Sequence, residues 1–147
     1  MASTRHTAAW GTTVLRIVTG IIFVAHGAAK LFTFTLAGTA AFFAQAGIPF
    51  AAAAAPLVIT VELAGGLLLL AGLFTRWVSL PLAATMVVAI ATVHLKAGFF
   101  LPDGYEFALL VLAATSTLAL QGAGAFALDN LRVRRPADVN RALRQVA

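Results

Sequence analysis

Five ionisable side chains stand out in an otherwise apolar chain: His26, Lys30, Glu62, His94 and Glu106. Charged or titratable groups inside a hydrophobic span are costly, so each marks either a pairing or a function. His26 and Lys30 are four residues apart, about one helical turn, and so share a helix face. Glu62 lies within a long apolar run and is followed one turn later by Gly65 and Gly66. A histidine can hydrogen-bond the carbonyl of a ligand, and a carboxyl group in an apolar site can relay a proton. The same groups could instead pair with one another. Glu62 with Arg16, or Glu62 with His26, would lock helices together where no water is present to solvate them. The residue types leave both readings open: a ligand-binding or proton-relay pocket, and polar glue between helices.

Other chemistries are excluded by what is absent. There is no cysteine, so disulfides, thiolate metal sites and thiol redox chemistry do not belong to this chain. No phosphate-binding glycine loop, dinucleotide fingerprint, HExxH or nucleophile elbow occurs, and no metal site is expected. His26 and His94 do not read as a pair of haem ligands, because His94 falls near a helix end. His6 reads as an exposed terminal residue without a role.

The elements that must position these groups follow from composition. The 147 residues are 61% hydrophobic and only 10% charged, with a mean hydropathy of +0.97. A soluble domain carries roughly 45–50% apolar and about 25% charged residues. A polytopic membrane protein is therefore expected. Four segments approach the roughly 20 residues that a helix needs to cross the hydrocarbon core: 12–34, 52–73, 77–100 and 105–121. Gly47-Ile48-Pro49, Gly72 with Arg76, and Pro102-Asp103-Gly104 separate them. The second turn is so short that spans two and three must be antiparallel neighbours. Segment 36–51 is apolar but interrupted, and reads as a short helix at the interface or folded back over the bundle. The predicted fold is all-α: a four-transmembrane-helix bundle formed by residues 1–130, followed by a basic tail, 131–147.

Periodicity assigns the faces. On the first span, Arg16, Gly20, Phe23, His26, Gly27 and Lys30 form one face, while Val14, Ile17, Val18, Ile21, Ala25 and Phe32 form a lipid-facing one. His94 falls on a face with Ala83, Val87, Ile90 and Ala91, and Glu106 on one with Ala113, Thr117 and Gln121. Eight of the ten basic residues fall on the side of the termini and the turn between spans two and three. By the positive-inside rule both termini are then cytoplasmic, and the arginine tail needs no nucleic acid to explain it. It could touch anionic lipid or a partner subunit. The first apolar run is too long for a signal peptide and carries His26 and Lys30, so it reads as a retained span. With this orientation His26 lies roughly 12 Å, and Glu62 roughly 15 Å, below the outer ends of their helices. His94 and Glu106 lie nearer the outer surface. All four, with Lys30, would then share the outer half of the bilayer, in a pocket lined by Phe23 and other aromatics. Lys96 reads as a snorkelling residue, and Trp10 and Trp77 as interfacial anchors.

In their order and spacing these residues resemble the DoxX family of small four-helix membrane proteins. The resemblance rests on Arg16-x3-Gly20-x2-Phe23-x2-His26-Gly27-x2-Lys30-Leu31, then Gly47-Ile48-Pro49 and Glu62-Leu63-Ala64-Gly65-Gly66. It continues through Gly72-Leu73-Phe74-Thr75-Arg76, Met86, His94, Gly98-Phe99-Phe100 and Gly104-Tyr105-Glu106, and closes with Gly122-x-Gly124 and Leu128-Asp129. It covers about residues 12–130 and does not extend into the arginine tail. It implies a multi-pass protein of a bacterial or archaeal inner membrane, linked to oxidoreductase systems, with quinone reduction known in the related DoxD proteins. The expectation is a membrane subunit of a quinone-linked oxidoreductase system, with an outer-half polar pocket for quinone or a similar lipophilic molecule. No cofactor is bound by a recognisable motif, so electrons would have to come from a partner or from a bound cofactor. The alternative is a non-catalytic structural or assembly subunit of a larger membrane complex. In either case the lipid bilayer and other membrane or soluble protein subunits are the expected partners.

Overall fold

The computed structural model describes the backbone of residues 2–131 and the side chains of residues 7–131. The arginines of the predicted basic tail, from Arg132 onward, lie outside the described residues. Among those described, the structure is helical and contains no strand. Helix α1 (Ala2–Ala28) runs on into a π-helical turn, Ala29–Thr33. Helices α2 (Thr35–Gln45), α3 (Ala51–Ala71) and α4 (Thr75–Ala89) follow. A second π turn, Ile90–His94, and a short 3-10 turn, Leu95–Ala97, extend α4, and α5 (Glu106–Gln121) completes the bundle. Segments Thr7–Thr33, Ala51–Ala71 and Thr75–Ala97 are long and apolar enough to cross a membrane. At 1.5 Å per residue, α5 reaches only about 24 Å, short of the roughly 30 Å hydrocarbon core. The second, third and fourth sequence-predicted spans coincide with the helices to within a few residues, the fourth being the shortest, whereas α1 begins at Ala2, ten residues before the predicted start of the first.

Segment 36–51, expected to hold a short helix, contains α2, which folds back against α3. Its Phe43 is buried, and Thr39 Oγ1 donates to the carbonyl of Lys30 at 2.9 Å, tying α2 to the π turn of α1.

Helix α1 packs chiefly on α3, and α4 on α5. The α1–α3 seam depends on missing side chains. A Cβ at Gly66 would lie 2.9 Å from the carbonyl oxygen of Gly20 and 2.8 Å from Val24 Cγ2. Its neighbour Gly65 opens the opposite side, where Leu82 of α4 comes within 3.0 Å of the equivalent position. Adjacent glycines therefore admit two different helices. Such backbone approach favours helix association in lipid, where no hydrophobic force acts between helices. Phe23, Leu69, Leu82, Val111 and Leu118, one or two from each span, form the buried core. Val14, Ile17, Val18, Ile21 and Phe32 are exposed on the outside of α1, as its periodicity predicts.

One end of the bundle is fastened by polar groups. Gly72 terminates α3 in the left-handed region (φ 65°), with the N–H of Leu73 donating to Leu68 O at 2.9 Å. Arg16, 1% exposed, donates to the carbonyls of Leu69 and Leu70 at this terminus and to Phe126 O at 3.2 Å. Asp129 returns to the start of α4 and accepts from the N–H groups of Phe74 (2.8 Å) and Thr75 (3.0 Å). A carboxylate there satisfies orphan donors and opposes the positive end of the helix dipole. Thr13 Oγ1 donates to Ala125 O, and Trp10 packs on Phe126, so the first helix and the segment after α5 meet at this end.

The pairing expected between Arg16 and Glu62 is not present. In the antiparallel α1–α3 pair, Arg16 lies level with Leu69 and Leu70. Glu62 is two turns earlier on α3, about 10 Å away along the axis. The guanidinium therefore meets helix-terminal carbonyls, and the carboxylate meets a different cation.

Candidate functional site

That cation is Lys30. Its Nζ lies 2.7 Å from Glu62 Oε2. Glu62 is 2% exposed and Lys30 22%, so the carboxylate is sealed between helices while the ammonium keeps an open side. The pair forms because Gly27, one turn before Lys30, lets α3 lie close. A Cβ there would sit 2.9 Å from Leu63 Cγ and 3.2 Å from Glu62 Cβ. The π turn then places Lys30 over the carboxylate, with Phe34 N donating to Ala29 O at 2.9 Å. A buried carboxylate needs such a partner.

The open side of Lys30 faces a cavity of about 770 Å³ between α1, α2, α3, α4 and α5. Its wall includes His26, Lys30, Glu62 and His94. Four of the five residues singled out by type therefore border one space. The rest of the wall is almost entirely apolar. Phe23, Val61, Met86 and Val111 line it from the bundle, and Phe42, Phe43 and Ile48 from α2 and the turn after it. The sequence points to a polar pocket, whereas the cavity is apolar with a few ionisable groups. A space of this size and character is typical of sites for small lipophilic molecules.

His26 is one turn before Lys30, and its ring stacks on Phe107 of α5 at a centroid distance of 6.0 Å. It is not the partner of Glu62. His94 lies in the second π turn, and its Nδ1 is 2.8 Å from the carbonyl oxygen of Asp103. The two π turns thus carry one ionisable cavity residue each, Lys30 and His94. Single π turns within α-helices occur often at functional positions, where they re-aim a side chain.

Glu106 departs from expectation. It is not part of the cavity wall. Its Oε1 accepts from the N–H of Leu101 at 2.8 Å, pinning the loop that precedes its own helix. The buried stripe of α5 is Ala108, Val111, Thr115 and Leu118 rather than the face bearing Ala113 and Thr117. A helix only 16 residues long begins at Glu106, so its first residue bonds the adjoining loop instead of the bundle interior. Lys96 is exposed and lies outside the cavity wall. No group of three or more His, Asp or Glu side chains gathers as metal ligands would among the described residues.

The residue types alone do not single out the aromatic cover. Phe42 and Phe43 are adjacent in a segment whose helix could have lain flat on the membrane; the only signal for their position is their bulk. Phe107, which supports His26, has no local signature.

The DoxX family model matches residues 11–95, which contain His26, Lys30, Glu62 and His94 but not Glu106. Over 119 residues the chain is 42% identical to a protein of Bacillus subtilis (strain 168) named "Putative oxidoreductase CatD", covering 81% of this chain and 84% of that relative. It is 37% identical over 120 residues to an uncharacterized protein of Haemophilus influenzae, covering 79% and 86% of the two chains. No solved structure matches it. The family model covers more than half of the sequence and the relatives most of their own length, and the apolar helices agree with them: the chain is a multi-pass membrane protein and belongs to the DoxX family.

Proposed function

We propose that this chain is the membrane subunit of an oxidoreductase system and that its cavity takes a lipophilic ring molecule of the quinone class. The observation that carries this reading is the coincidence of a 770 Å³ apolar space with His26, Lys30, Glu62 and His94 on its wall. Apolar walls would accept the ring and part of a hydrocarbon tail. The open side of the Lys30 ammonium would meet a ligand oxygen, and Glu62, already paired with it, would hold that ammonium in place. Electrons would come from a partner protein or a cofactor held by one. The relative's name as an oxidoreductase supports the class of reaction. With both termini in the cytoplasm, as the lysine and arginine bias favours, the cavity would open in the outer half of the bilayer of a bacterial or archaeal inner membrane.

The Lys30–Glu62 bridge between α1 and α3 also favours a second reading, a structural or assembly subunit in which the polar groups only join helices. Binding separates the two. Full-length protein in nanodiscs should bind 1,4-naphthoquinone above empty nanodiscs. Ala89→Trp, which puts an indole into the cavity from α4, should abolish binding, and His26→Ala should weaken it. Binding no greater than that of empty nanodiscs would leave the structural reading in its place.

A further inference from the structure

The hydrogen bond from His94 to the loop carries more information than its presence in the cavity wall. The carbonyl oxygen of Asp103 can only accept, so the Nδ1 that lies 2.8 Å from it must carry the proton. A neutral imidazole holds one N–H. The nitrogen left for a ligand, Nε2, is then a bare lone pair. Neutral His94 therefore cannot donate to a ligand carbonyl and can accept from a ligand hydroxyl.

The loop is built to keep this arrangement. Gly104 N donates to Phe100 O and Tyr105 N to Gly98 O, each at 3.0 Å, and Glu106 N donates to Phe99 O at 3.0 Å. Glu106 Oε1 takes the N–H of Leu101. Phe99 is braced edge-on by both Phe100 and Tyr105 at centroid distances of 5.3 Å. These contacts hold the chain on either side of Asp103, which limits where its carbonyl, and with it the imidazole, can sit. Glu106, which has no place in the cavity wall, acquires a role as a positioning residue for His94.

We infer that His94 accepts a hydrogen bond from a hydroxyl group of the ring ligand, so that the cavity selects the reduced, hydroxyl-bearing form over the carbonyl form. This rests on the lipophilic-ring reading of the cavity. It goes beyond that reading by assigning opposite hydrogen-bonding roles within one site: the Lys30 ammonium donates, and His94 accepts.

The test uses three probes of similar size: 1-naphthol, which donates, and 1-methoxynaphthalene and 1,4-naphthoquinone, which do not. Equilibrium dialysis at pH 8 against full-length protein in nanodiscs, corrected for empty nanodiscs, should give 1-naphthol tighter binding than 1,4-naphthoquinone and about tenfold tighter binding than 1-methoxynaphthalene. His94→Leu should reduce that ratio to within about twofold. His94→Gln, whose side-chain oxygen can accept near the position of Nε2, should restore at least part of it. Glu106→Ala, which frees the loop, should lower the ratio without removing it. In protein carrying 15N-histidine, the Nε2 resonance of His94 should move on addition of 1-naphthol and stay in place with 1-methoxynaphthalene. That measurement needs no variant to fold. Equal binding of the three probes, a preference that survives His94→Leu, or an Nε2 resonance indifferent to 1-naphthol would overturn the inference while leaving the cavity reading intact. Binding of none of the probes would overturn both.

Discussion

Removing either partner of the Lys30–Glu62 pair should cost very different amounts. In Lys30→Met the carboxylate of Glu62, 2% exposed, loses its salt-bridge partner. An uncompensated buried charge of this kind costs about 3–5 kcal/mol. In Glu62→Met the orphaned group is an ammonium that is 22% exposed and can turn into the cavity. The loss should then be about 1–2 kcal/mol, the scale of a lost hydrogen bond to a charged group. Replacing both by methionine removes the charges together and should leave the protein within about 2 kcal/mol of wild type, because a buried pair and an apolar isostere are often close in energy. The double-mutant cycle should therefore show a coupling of at least about 2 kcal/mol, the sum of the two single losses less that of the double variant. Unfolding by SDS titration in detergent micelles, followed by the fluorescence of Trp10 and Trp77, reads these differences. Equal losses in the two single variants, or an additive double variant, would show that the carboxylate is not sealed and that the pair does not join α1 to α3.

Gly66→Ala should destabilise by about 1–3 kcal/mol, because the new methyl meets the backbone of Gly20 and Val24; Gly38→Ala, with only Thr35 Oγ1 at 3.5 Å, should change stability by no more than about 1 kcal/mol in the same titration. Arg16→Leu should cost about 2–4 kcal/mol, since three backbone carbonyls lose a charged donor, and Arg16→Lys should recover less than half of it because an ammonium lacks the planar fork. Asp129→Ala should cost about 0.5–2 kcal/mol through loss of the α4 cap, and hydrogen exchange should rise at the amides of Phe74 and Thr75.

The sequence makes the spans legible because each is a long apolar run closed by glycine or proline, and Pro102-Asp103-Gly104 breaks the third from the fourth as expected. The lipid-facing side of α1 is equally plain from period alone. The partner of Glu62 is not. Arg16, His26 and Lys30 all share a face, and angular position cannot choose among them. The choice depends on the axial register of α1 against α3, which is fixed by Gly20, Gly27 and Gly66 meeting across the seam. The cap of α4 is hidden for a different reason. Its donor groups are at Phe74 and Thr75, but the carboxylate comes from Asp129, more than fifty residues later. Neither π turn has a local signature, so the aim of Lys30 and His94 is a property of the packed helices. The role of Glu106 in the loop comes from a bond to Leu101, five residues earlier, which helical periodicity does not consider.

If a lipophilic ring enters the space between the helices, photolabelling of the full-length protein in nanodiscs with an azido-1,4-naphthoquinone will find it there. Label should fall on cavity-wall residues such as Phe23, Met86 and Val111, be displaced by excess 1,4-naphthoquinone and disappear in Ala89→Trp. Label spread instead over lipid-facing residues such as Ile17, Leu67 and Leu120, and undiminished by competitor, would contradict it.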